Sequence, residues 1–137
     1  MIADKEAISI KLSFELSKQE VVDFLEEMQS LISLDTFRLI KSDKEDEDIL
    51  YSTPYTLLTL KYNDSDIIEQ VKSLTIQNYS ETLFDKDDVN PLHLFVFGKV
   101  IEGRTVYIKL KVKNVLNQYV LCVSFHFAKF PMKYPYA

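Results

Sequence analysis

The sequence predicts an α+β fold, with N-terminal helices packed on a C-terminal antiparallel sheet of three or more strands. Three observations predict it. Apolar residues recur at helical spacing behind capping signals in the first half, while three runs of β-branched and aromatic residues fill the second. The charge divides near the same place. Residues 1–91 hold nine Lys and Arg against 20 Asp and Glu, whereas residues 92–137 hold seven against the single acid Glu102. The net charge of −5 therefore hides a basic segment, and polyanion binding follows the local field rather than the average. A chain of 137 residues fits one domain, with an acidic helical part (1–91) and a basic β-meander (92–137) around one core.

Residues 8–14 alternate, with Ile8, Ile10, Leu12 and Phe14 on one side, which reads as a short strand. Ser17 and Glu20 have the spacing of a capping box. Val21, Phe24, Leu25, Met28, Leu31 and Ile32 then predict a helix over 18–33. Residues 36–40 read as a strand or the approach to one. The acidic run 43–48 reads as a solvated loop or helix start, since it lacks the Gly of a tight calcium loop. Pro54 starts a short helix. Asn63 or Asp64 caps another, with Ile67, Ile68, Val71 and Leu74 on one face. Residues 75–82 receive no element, and 85–91 read as a loop.

Residues 94–101, 105–113 and 119–127 follow as strands. Glu102-Gly103 marks a tight turn between the first two, and 114–118 turn the chain between the second and third. The result is a three-stranded antiparallel meander. Pro131 and Pro135 lack ladder donors, so the tail is no central strand.

Several chemistries are excluded. The single Cys122 makes no internal disulfide and reads as a core or sheet thiol. No His or Cys pattern with metal spacing occurs, and two glycines make no phosphate loop. No run of about 18 apolar residues exists to span a membrane, and the first residues lack signal-peptide character. A cytoplasmic protein without metal or cofactor is expected.

On the middle strand Val106, Ile108, Leu110 and Val112 face one way, and Tyr107, Lys109, Lys111 and Lys113 the other. Matching apolar faces puts Tyr119, Leu121, Val123 and Phe125 of the last strand on the core side. It sets Tyr107 opposite His126 and Lys109 opposite Ser124. Tyr107, Lys109, Lys111, Ser124 and His126 then share one polar face. Cleaving an RNA phosphodiester needs a base for the 2′-hydroxyl, an acid for the 5′-oxygen and cations for the developing charge. Histidine serves as acid or base near neutral pH, lysines suit the charge, and tyrosine stacks on a base or donates a proton. The plain alternative is a sheet face with solubilising lysines and a locally packed tyrosine. His93 reads as a loop residue.

The runs 94–99 (LFVFGK), 102–110 (EGRTVYIKL) and 123–126 (VSFH), preceded by 73–79 (SLTIQNY), resemble the MqsR family of type II toxins in the RelE-like superfamily. The tail 130–136 is similar to Gram-positive members, and the resemblance spans about residues 70–136. It implies a compact RelE/MqsR-like α+β fold and a metal-independent mRNA endoribonuclease, silenced by a cognate antitoxin. The family's catalytic tyrosine falls on Tyr107. The basic residue of the last strand falls on His126. Lys99, Lys109 and Lys111 would meet phosphate, with Arg104 and Ser124 positioning RNA. Two family positions differ: a lysine falls near Glu81 and a glutamine near Leu94. RNA and an antitoxin are the expected partners. A non-catalytic interaction module, in phage defence or regulation, is the alternative that these differences and the acidic first half favour. An inhibitor whose acidic half mimics nucleic acid is a third.

Overall fold

A computed structural model describes residues 12–40, 48–114 and 116–137. Among the described residues, three α-helices lie on one face of a six-stranded sheet. The strands are β1 (Ser13–Phe14), β2 (Phe37–Leu39), β3 (Tyr79–Phe84), β4 (His93–Ile101), β5 (Arg104–Asn114) and β6 (Gln118–Phe127). The helices are α1 (Lys18–Leu31), α2 (Thr53–Leu60) and α3 (Asp64–Lys72). Across the sheet the order is β1-β3-β4-β5-β6-β2.

The local signals operate as read. Ser17 Oγ accepts the Glu20 N–H at 3.2 Å, and the Glu20 carboxylate accepts the Ser17 N–H at 3.1 Å. This closes two orphan donors at the start of α1. Helix α1 buries Val21, Phe24, Leu25 and Met28, and Phe24 stacks on Phe95 with ring centroids 3.8 Å apart. Pro54 sits in the first turn of α2, and Asn63 caps α3. Glu102 (φ 51°) and Gly103 (φ 83°) make the β4–β5 turn, where a residue without Cβ costs nothing in the left-handed region.

The sheet departs from the expectation in three ways. It is mixed rather than antiparallel, because β2 pairs parallel to β6. Helix α1 leaves from the β1 edge and returns the chain to the opposite edge, so β2 arrives in the direction of β6. The acidic part adds, besides the strands read at 8–14 and 36–40, a third that was not expected, β3. Residues 79–84 form β3, to which periodicity assigned no element. Ser80 is an extra residue between the pairs Tyr79–Phe97 and Glu81–Val96, and this bulge breaks the alternation. The expected strand over 8–14 is represented by Ser13–Phe14. Residues 8–11, and most of the acidic run 43–48, lie outside the described residues.

The third departure concerns β6. Its register with β5 has the expected pairs Tyr107–His126 and Lys109–Ser124. The next pair is Leu110–Cys122, so Val123 is an unpaired bulge residue. An extra residue inverts the alternation beyond it. Val120 and Cys122 therefore enter the core with Phe125 and Phe127, while Val123 packs with Tyr107 on the other face. The expectation that Val123, Leu121 and Tyr119 face the core is corrected for this reason.

Candidate functional site

The face of the sheet turned away from the helices carries the residues of interest. Register sets two transverse rows there. Glu81, Val96, Lys109 and Ser124 form one, and Gly98, Tyr107 and His126 the other. The Tyr107 and His126 rings stack with centroids 5.0 Å apart and planes 12° apart. Lys109 Nζ lies 5.9 Å from the centre of the Tyr107 ring. His126 Nδ1 is 3.0 Å from the Phe127 carbonyl, which only accepts, so Nδ1 carries the proton. In the neutral ring the lone pair is then on Nε2. Burial, and after it the Glu81 carboxylate, push the Tyr107 hydroxyl well above its ordinary value. At neutral pH that phenol is a donor and not a base. Ser124 is buried beside Lys109.

The other expected cations are placed elsewhere. Lys99 pairs in register with Val106 and so lies on the helix side. It donates to the Ser73 hydroxyl and, at 3.5 Å, to the Gln70 carbonyl at the end of α3, and its burial lowers its pKa. Arg104 is on the helix side too, its guanidinium 3.6 Å from the centre of the Phe127 ring. Neither shares a face with Tyr107. Strand alternation, read through the actual pairing, separates them.

Lys111 is on the expected face but is not available to a phosphate. Its side chain is 0% exposed, 2.6 Å from the Asp85 carboxylate and 2.9 Å from the Asp88 carbonyl. Lys113 pairs with the Asp88 carboxylate. The loop 85–91, read from the sequence as a loop without partners assigned to its acids, thus supplies counter-charges for Lys111 and Lys113 of the β5 stripe. The missed signal was the placement of these acids directly before β4, whose pairing with β5 brings them to the lysines.

Part of the same face is crossed by the last nine residues. A Cβ at Gly98 would collide with the Tyr134 hydroxyl and meet the Met132 sulfur at 2.8 Å. Met132 also packs on the small apolar cluster of Leu83, Leu94, Val96, Tyr107 and Val123. Tyr136 stacks on Tyr79 and donates to the Leu16 carbonyl at 2.6 Å.

A concavity of about 560 Å³ lies between α1 and the sheet, lined by Glu20, Asp23, Glu27, Phe24 and Phe95 among others. Three carboxylates at its wall oppose a polyanion. Among the described residues no group of three or more His, Cys, Asp or Glu is arranged to hold a metal. Among them, too, no helix is long and apolar enough to cross a membrane. Comparison with protein-family models, curated proteins and solved structures finds no match for this chain.

Proposed function

We propose that this chain is a metal-independent mRNA endoribonuclease, the toxin of a type II toxin–antitoxin pair similar to MqsR toxins. The observation that supports it most is the stacked Tyr107–His126 pair with Lys109 alongside. His126 Nε2 takes the proton of the RNA 2′-hydroxyl. The 2′-oxygen attacks phosphorus, and the bond to the 5′-oxygen breaks. The leaving oxygen takes a proton from Tyr107, which its environment keeps protonated, or from the imidazolium just formed. Lys109 offsets the charge on the non-bridging oxygens, the role that needs a cation in the transition state. The products are a 2′,3′-cyclic phosphate and a 5′-hydroxyl. A cognate antitoxin would cover this face with an acidic or helical segment.

The non-catalytic interaction module is the second reading. It is favoured by Lys111 and Lys113 being committed to Asp85 and Asp88, and by the segment lying over Gly98 beside Tyr107.

The experiment expresses wild type, Tyr107→Phe and His126→Ala under tight control and maps new RNA 5′ ends, with purified proteins assayed in EDTA. The nuclease reading expects growth arrest and cleavage in EDTA by wild type, and neither by the folded variants. Well-folded wild type that cuts nothing and arrests nothing leaves the interaction module.

A further inference from the structure

The segment 129–137 runs from the end of β6, across the outer sheet face, to Leu16. We infer that it is a displaceable strap, and that Tyr134 and Met132 fill, over Gly98, the place an RNA base takes beside Tyr107 and His126. The inference rests on the nuclease reading and adds to it where the substrate base sits and what must move first.

Four observations carry it. Gly98 stands in register with Tyr107, which stands in register with His126. The missing side chain at Gly98 leaves a shallow seat at the end of this row, and an aromatic ring and a thioether occupy it. Bases stack on aromatic side chains whatever their sequence, so a seat that takes a tyrosine beside Tyr107 suits a nucleobase. The strap is also lightly held. Pro131 and Pro135 have no N–H to donate. The polar bond that ties its far end to the body is Tyr136 Oη to the Leu16 carbonyl, and the Ala137 N–H turns back to the Tyr134 carbonyl within the strap. The other contacts with the body are made by side chains: Met132 and Tyr136 pack on the two apolar clusters, and at the start of the strap Lys129 lies 3.8 Å from the Asp48 carboxylate and 5.8 Å from the centre of the Tyr51 ring. A segment seated mainly by side chains opens without breaking a strand ladder.

The test uses full-length protein. A Met132→Ala/Tyr134→Ala double variant empties the seat, and Gly98→Ala pushes the same two side chains out of it without altering the strap. Folding is checked by thermal melts. Tyr136→Phe, which removes only the bond to Leu16, is the mildest variant should the others melt low. Two quantities are read. One is the rate at which diethyl pyrocarbonate modifies His126, with His93 in the same molecule as reference. The other is the Kd for a fluorescent, mixed-sequence, single-stranded 2′-O-methyl RNA, which has no 2′-hydroxyl to attack.

The double variant is expected to raise the His126 rate severalfold relative to His93 and to tighten RNA binding about tenfold, as when a site mostly occupied by its own cover is opened. Unchanged reactivity and affinity in folded variants would overturn the strap, while RNA cleavage by wild type would keep the nuclease reading. Weaker RNA binding would overturn it as well, because the strap would then be part of the RNA site. Faster His126 modification with no RNA bound by any form would remove the base site together with the nuclease reading.

Discussion

Lys111 has its ammonium where water does not reach it, and Asp85 and Asp88 make that tolerable. Removing a carboxylate leaves the fully buried ammonium short of a counter-charge, whereas replacing Lys111 by an apolar side chain leaves carboxylates that are partly exposed, 13% for Asp85 and 42% for Asp88, and Asp85 still accepts from the Asp87 and Asp88 N–H groups. Asp85→Asn is expected to destabilise by about 3 kcal/mol, and Lys111→Met by about 1 kcal/mol or less, in urea unfolding. Equal losses from both would contradict this account. Cys122 is buried and its thiol is pushed up to about 12, chiefly by burial. It should stay unreactive to a disulfide reagent in native buffer at pH 8 and react once urea unfolds the chain. At this scale the pairing of Tyr107 with His126 was legible, because apolar residues on one face of each strand set the parity near the turn-proximal end of β5. The fate of Lys111 was not. Its partners lie 26 and 23 residues away, and nothing local announces them.

The elements interlock through backbone groups that strands alone leave unpaired. Strand β2 pairs with β6 only from Val120 to Cys122. Beyond it, the N–H groups of Phe125 and Phe127 donate to Thr53 Oγ1 and Thr56 Oγ1 of α2 at 3.2 and 2.9 Å. A buried N–H without a partner costs about 1–3 kcal/mol, so Thr56→Val, nearly equal in shape, should cost that much in thermal or urea unfolding. No pattern in the sequence distinguishes these two threonines from ordinary helix residues. The loop between β3 and β4 depends on pH. The Lys113 ammonium, and after it the Asn90 backbone, hold the Asp88 carboxyl below its ordinary value. Its contribution is complete above the ordinary aspartate value of about 4 and is lost as pH falls through the lower folded value. Amide exchange should therefore show residues 85–91 loosening below about pH 4, and loosening first above pH 7 would be the wrong sign.

The whole molecule is a mixed sheet with helices on one face and an acidic loop and a strap on the other. That division takes four of the sheet's cations away from RNA. Lys99 and Arg104 are on the helix side, and Lys111 and Lys113 are paired. Binding of single-stranded RNA is thus expected to depend weakly on salt, with a log–log slope of about −2 or shallower, near −0.7 per phosphate neutralised. A slope near −5 would mean that the paired lysines are released for phosphate. The sequence by itself determined the capped helices, the β4–β5–β6 meander, its Glu102-Gly103 turn and the opposition of Tyr107 and His126. Each depends on spacings of a few residues: a cap, an alternation, a turn. Only the tertiary structure decided the parallel β2 edge, the inverted phase beyond Val123, the burial of Lys111 and the cover over Gly98. These arise where segments distant along the chain meet, and there packing and charge neutralisation, not local pattern, choose the neighbour.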